Sequence, residues 1–305
     1  MTITLSLIRF GVTEFDLHQS SLDYVRCVRC HYELELTSYR QDKEIEEGLL
    51  ICSKCGLFYP IIHRVAILHD DFTNYLSNRP RLGGELLLSV KTEPMKSLIK
   101  TTLGKTGKNK DFSTIEKRWA EIYQKNSKSK FYDVIKKSLN FDADLALEHG
   151  CSIGIMSEYL AKKSKQVFGI DKSFYAIQKA KKSNKRNLDF FVADSLEHPF
   201  GNTKFSLVLG LNLFEIIEPK QLVKLLSVQV QKGGTLILSD PYDYERDVKS
   251  VKEPLYSGAL RKELTKLGFI ISSKTKESSH IQWNLKLHDR ANLQYLVDLI
   301  IAKKS

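Results

Sequence analysis

Residues 145–171 read LALEHGCSIGIMSEYLAKKSKQVFGID. The apolar run from Leu145 ends in Glu148, and a turn of small residues follows, His149-Gly150-Cys151-Ser152-Ile153-Gly154. An amphipathic segment leads to a second apolar run, Val167 to Ile170, which ends in Asp171. Strand, turn, helix and strand with an acid at the tip make one βαβ unit. Glycines in such a turn let a ligand approach the backbone closely. The acid at the end of the second strand can accept hydrogen bonds from a ribose diol.

The same alternation continues to the C-terminus. It predicts strands over 188–192, 205–209, 235–238, 269–272 and 295–302. Helices are predicted from Ile155, over 173–180, from Pro219 to Val230, and over 257–267, where Gly268 ends the last one. Strands alternating with helices predict a parallel sheet covered on both faces.

Three chemistries compete for the turn. A dinucleotide site wants G-x-G-x-x-G, and the chain offers only Gly150 and Gly154. A hydrolase elbow wants G-x-S-x-G, and residues 150–154 fit it literally, with Ser152 as nucleophile. That elbow normally follows earlier strands that supply an oxyanion loop, and it leaves Glu148 and Asp171 idle. The third pattern is an acid followed by G-x-G-x-G. Glu148, Gly150, Ser152 and Gly154 resemble this cofactor turn of class I S-adenosylmethionine-dependent methyltransferases, with serine in place of the middle glycine.

The resemblance extends over residues 140–305 and implies an α/β fold: a Rossmann-like, seven-stranded class I methyltransferase sheet, preceded by a small zinc-ribbon domain. It assigns Asp171 to the cofactor ribose and Asp194, after the third strand, to the adenine amino group. Asn212 falls where the family often has Asp or Asn near the transferred methyl. Gly233-Gly234 before the fifth strand is also typical. Ser239-Asp240-Pro241-Tyr242 resembles the Asn-Pro-Pro-Tyr motif of amino-group methyltransferases, but it follows strand five instead of strand four, so that role is not carried over. Asn212-Leu213 and Pro241-Tyr242 are similar to the N-methyltransferase domain that acts on mercaptohistidine. No catalytic base is assigned; Asp240, Tyr242, His280 and His288 are candidates by position alone.

Upstream, Cys27-Val28-Arg29-Cys30 and Cys52-Ser53-Lys54-Cys55 are two CxxC pairs separated by 21 residues. Paired CxxC spacing predicts a closed four-thiolate structural zinc site, in which Cys27, Cys30, Cys52 and Cys55 are the ligands. The residues between alternate and then turn acidic (Asp42, Glu44, Glu46, Glu47), which predicts a hairpin with a solvated loop. Gly56-Leu57-Phe58-Tyr59-Pro60-Ile61 and the short strand Val65–Leu68 follow. Over residues 22–72 this resembles the small zinc-ribbon activator subunit of RNA and protein methyltransferases. The resemblance implies that the ribbon packs on the chain's own methyltransferase domain.

The expected organisation is therefore a ribbon over 1–71, a basic and partly helical linker over 72–140, and the methyltransferase domain over 141–305. The 305 residues carry a formal net charge of +11. Between Lys96 and Lys137, twelve Lys or Arg face four acids. Interleaved with Trp119, Tyr123, Phe131 and Tyr132, this segment suits RNA, through phosphate contacts and base stacking. The alternative is a solvated linker whose aromatics pack on the domain. No apolar run approaches the ~20 residues of a membrane span, and the start lacks a signal-peptide pattern. The chain is expected to be cytoplasmic, with no membrane partner. Its expected activity is methyl transfer from S-adenosylmethionine to an RNA base. A small-molecule N-methyltransferase with a purely structural ribbon and a non-catalytic binding platform are the alternatives.

Overall fold

The computed structural model describes residues 19–105, 110–139, 141–183, 185–245 and 251–305. A strand expected over 1–10 lies outside them. After a short helix, α1 (Gln19–Leu22), the chain enters the ribbon. Strands β1 (Leu34–Gln41), β2 (Ile45–Cys52), β3 (Phe58–Ile62) and β4 (Val65–Leu68) pair antiparallel in sequence. The turn from β3 to β4 is His63-Arg64, with φ of 52° and 68°. Two positive-φ residues are what a tight two-residue hairpin needs to match strand twist.

All four residues of β4 are buried, and the strand has a second neighbour. It runs parallel to β7 (Leu188–Ala193), pairing Ile67 with Val192 and Leu68 with Ala193. The ribbon and the α/β domain thus share one sheet, joined at β4 and β7. Burying Val65, Ile67 and Leu68 at ~1.5–3 kcal/mol each makes this short strand an effective joint.

The parallel core is β5 (Ala143–His149), β6 (Ser164–Asp171), β7, β8 (Phe205–Leu211) and β9 (Val230–Asp240). Strand β12 (Ala291–Lys304) returns antiparallel against β9, and β10 (Phe269–Ile271) closes the edge against β12. These seven strands form the class I sheet expected from the sequence. Helices α7 (Ile155–Leu160) and α8 (Phe174–Ala180) cover one face; α9 (Pro219–Gln229) and α10 (Ser257–Lys266) cover the other.

Three features differ from the sequence reading. Residues 72–139 form α2 (Phe72–Ser77), α3 (Pro80–Ser89), α4 (Glu93–Leu103), α5 (Ser113–Lys125) and α6 (Lys130–Ser138), all packed on the α7–α8 face. Strand β11 (Ile281–His288) was not expected; it forms a hairpin with the first half of β12, and its alternation of Trp283 and Leu285 inward with Asn284 and Lys286 outward is a period-two signal. Third, Glu47 is not in a solvated loop. It lies in β2, only 2% exposed, and its carboxylate accepts the Lys91 and Thr92 N–H groups (2.6 and 2.9 Å) and the Thr92 hydroxyl (2.6 Å). That ties the ribbon to the start of α4.

Burial alone would raise the Glu47 pKa, but the bonds from the Thr92 hydroxyl and the Lys91 and Thr92 amides outweigh it and hold it below the ordinary 4.5. Removing the carboxylate strands buried donors, so Glu47→Ala should cost about 2–3 kcal/mol in urea denaturation at neutral pH. A depressed folded-state pKa contributes stability above the unfolded value and loses it as pH falls through the folded one. The gap between wild type and variant should therefore shrink below pH 4.5. A neutral-pH difference under ~0.5 kcal/mol, the scale of an ordinary surface change, would contradict the assigned role.

Candidate functional site

The turn after β5 is built by left-handed residues: Gly150 at φ 62°, Ser152 at 48° and Gly154 at 79°. Space as well as backbone demands glycine at two of them. A Cβ on Gly150 would come within 2.3 Å of Leu213 Cδ2, and one on Gly154 within 2.6 Å of Phe190 Cζ. Ser152 adopts the same region with a side chain, a conformation costing of order 1 kcal/mol that its surroundings must hold in place. They do so through Asp171, whose Oδ2 accepts the Ser152 N–H at 2.9 Å while Oδ1 accepts the Ser173 N–H at 2.8 Å.

This turn forms the floor of a cavity of about 350 Å³. Glu148, Gly150, Ser152, Asp171 and Asn212 all line it. Glu148 is buried, and its carboxylate accepts the Ser157 hydroxyl. Burial pushes its pKa to about 7, only partly offset by the bonds from Ser157. Burial also raises Asp171, against the opposing pull of the Ser173 and Ser152 amides and the Arg79 charge. Asn212 has φ 56° and accepts the Ser239 hydroxyl at 3.0 Å.

Gly154 and Asp194 are not in the cavity wall. Gly154 starts α7 and packs beneath Phe190. Asp194, at the end of β7, accepts the Leu196 N–H and forms a 2.6 Å ion pair with Lys172. The four residues considered as bases do not reach the wall either. Asp240 is 1% exposed and accepts the Phe214 and Tyr242 N–H groups, and the Tyr242 hydroxyl donates to Asp298. His280 and His288 are exposed at the β11 hairpin, away from the cavity.

The roof was not legible as a site. Ile115, Glu116, Trp119, Ala120 and Tyr123 fall on one stripe of α5, at the three-to-four-residue spacing of a single helical face. Phe131 and Tyr132 come from α6 and Trp283 from β11. Trp283 stacks on Tyr123 at a ring-centroid distance of 6.2 Å and meets Phe131 at 5.2 Å. The aromatics expected to stack on RNA bases are thus turned inward: Phe131 is fully buried and Tyr132 8% exposed. The basic side chains of the same segment stay outside, with Lys100, Lys117, Arg118, Lys125, Lys128, Lys130 and Lys137 exposed.

At the ribbon, the four cysteine Sγ atoms lie within 4.8 Å of one another, with pairs at 3.4 Å (Cys30–Cys52), 3.6 Å (Cys27–Cys55) and 3.7 Å (Cys30–Cys55). A zinc tetrahedron with ~2.3 Å bonds has edges of about 3.8 Å, so the four thiols fit the metal. Each knuckle closes in the same way. The His31 N–H donates to the Cys27 carbonyl and the Gly56 N–H to the Cys52 carbonyl, both at 2.9 Å, with His31 and Gly56 at positive φ. The buried Tyr59 hydroxyl donates to Cys27 Sγ at 3.2 Å.

Residues 146–231 match the family model described as a methyltransferase domain. This stretch is a methyltransferase domain. It contains the glycine turn, Asp171 and Asn212. No curated protein matches the chain in sequence. Solved structures similar to it include a chain from the complex of the Haloferax volcanii Trm112 methyltransferase activator with a methyltransferase. That match has 13% identity and a TM-score of 0.48, over 62% of this chain and 96% of that one. Magnesium protoporphyrin IX methyltransferase from Synechocystis PCC 6803 with bound SAH matches at 19% identity and TM-score 0.45, over 64% and 96%. The N-methyltransferase NodS from Bradyrhizobium japonicum WM9 matches at 17% and 0.43, over 58% and 86%. No helix among the described residues is long and apolar enough to cross a membrane.

The metal assignment has a direct check. Cys52→Ser should purify without stoichiometric zinc and unfold at lower temperature, because ligand loss removes metal-linked folding free energy. A full complement of zinc in that variant would refute the four-thiolate site.

Proposed function

We propose that the methyltransferase domain binds S-adenosylmethionine across the β5 turn and the tip of β6, and that the acceptor is a small molecule seated under the aromatic roof. The bound cofactor supplies a methyl group already activated on a sulfonium. The chain's own contribution is to position the reactants and exclude water. Gly150 and Ser152 allow close backbone approach. Asp171 keeps lone-pair positions beyond those given to the two backbone N–H groups, and with them it accepts a ribose hydroxyl. Asp194 is assigned to the adenine from its place after β7, and Glu148 and Gly154 hold the turn in shape. Leu211 and Asn212 line the reacting end.

The observation that carries the acceptor reading is the cavity's lining. Trp119, Tyr123, Phe131, Tyr132 and Trp283 line the same cavity as the cofactor turn, and among the described residues no lysine or arginine lines it. Aromatic faces suit a flat ring or a cationic amine. An RNA base remains the second reading, favoured by the exposed Lys and Arg of residues 96–137. Counterion release distinguishes the two: RNA as acceptor gives turnover that falls steeply with salt, and a small acceptor gives turnover nearly flat in salt.

Calorimetric titration with S-adenosylhomocysteine tests the cofactor assignment. Asp171→Ala should weaken binding by ~1.5–3 kcal/mol, the range for hydrogen bonds to a charged group. An unchanged dissociation constant would remove Asp171 from the ribose.

A further inference from the structure

We propose that Glu116, which comes from the helical segment ahead of the methyltransferase domain, is a second carboxylate of the cofactor's ribose subsite, held in place by Arg79. The inference rests on the cofactor reading above. Glu116 and Asp171 line the same cavity together with Ser173. A continuous set of contacts joins the two acids. The Arg79 guanidinium meets both Glu116 oxygens, through Nε at 3.0 and 3.1 Å and through its second terminal nitrogen at 2.6 Å. It also lies 4.0 Å from the centre of the Tyr75 ring and donates to the Tyr75 carbonyl at 3.2 Å. The Tyr75 hydroxyl in turn donates to the carbonyl of Lys172, the residue after Asp171, at 3.0 Å.

Arg79 itself is 8% exposed, so its charge is committed to Glu116 and not to solvent. A carboxylate has about four lone-pair positions, and the guanidinium occupies one side of this one. Glu116 is also a lining residue of the cavity, and Trp119 and Tyr123 continue the same α5 stripe, with Tyr123 stacked on Trp283. Asp171 already spends one lone pair of each oxygen on a backbone amide. A ribose diol brings two O–H donors, and Glu116 gives the second of them an acceptor. The helical segment then completes the cofactor site instead of merely covering it.

The test uses full-length, zinc-loaded protein and three ligands: S-adenosylhomocysteine and its 2′-deoxy and 3′-deoxy analogues. Glu116→Gln keeps an oxygen toward Arg79 and turns an amide donor toward the cavity, where an acceptor is needed. It should weaken the intact ligand about tenfold, the effect of losing one hydrogen bond to a charged group. One deoxy analogue should bind the variant almost as it binds wild type, because the hydroxyl it lacks is the one Glu116 holds. Glu116→Asp, which keeps the charge opposite Arg79 but draws the carboxylate back, should show the same selective loss and carries the test if the glutamine variant does not fold. Equal weakening of all three ligands, or no weakening, would overturn the proposal and leave the cofactor reading intact. If wild type binds none of the three, the cofactor reading falls and this inference with it.

Discussion

Trp283 lies between Phe131 and Tyr295, at ring-centroid distances of 5.2 and 5.7 Å, and stacks on Tyr123. These contacts join three stretches that are far apart in sequence: the helices before the domain, the β11–β12 hairpin and, through the cavity they enclose, the glycine turn after β5. Aromatic side chains bury much area with little loss of rotamer freedom, so a few of them can fix a roof over a polar floor. The turn below has no room for a Cβ at Gly150 or Gly154, where Leu213 and Phe190 fill the space. The geometry of the site follows from a rigid turn below and an aromatic cluster above.

The ribbon is fixed to the same frame by other means. A two-residue parallel ladder between β4 and β7 carries its sheet into that of the domain, and Glu47 anchors it to the start of α4. On the opposite face, the Arg26 N–H donates to the Pro199 carbonyl, and Val25, Cys27 and Val28 share a buried cluster with Phe168, Phe191 and Phe200. Zinc, by closing the knuckles, would hold β1–β3 in the shape that presents β4. Among the described residues the ribbon meets the sheet edge, the opposite face, α3 (His63 to Ser89) and the start of α4, and none of its residues lines the cavity.

Much of this was legible in the sequence because it rests on short-range pattern. Paired CxxC spacing, the acid–glycine turn and the strand–helix alternation all lie within local windows, and β4 was placed at its observed limits, Val65–Leu68. What was not legible depends on which surfaces meet. Glu47 reads as one of four loop acids, and only its partners at Lys91 and Thr92 make it a buried cap. Trp119, Tyr123, Phe131 and Tyr132 interleave with lysines in the sequence, but the helical period separates the two kinds, aromatics inward and charges outward. Glu116 is one acid in a basic run until Arg79, 37 positions earlier, is brought against it. The β11 hairpin had a usable signal in its alternation; its role as roof was not contained in that signal.

The chain's two tryptophans, Trp119 and Trp283, both line the cavity, so their fluorescence reports on the site directly. The deciding measurement is intrinsic fluorescence during titration with S-adenosylhomocysteine, run beside calorimetry on the same sample. A cofactor bound over the β5 turn beneath the aromatic roof predicts a saturable fluorescence change with the calorimetric midpoint. Calorimetric binding that leaves the fluorescence unmoved, or folded and zinc-loaded protein that binds nothing, would contradict the account.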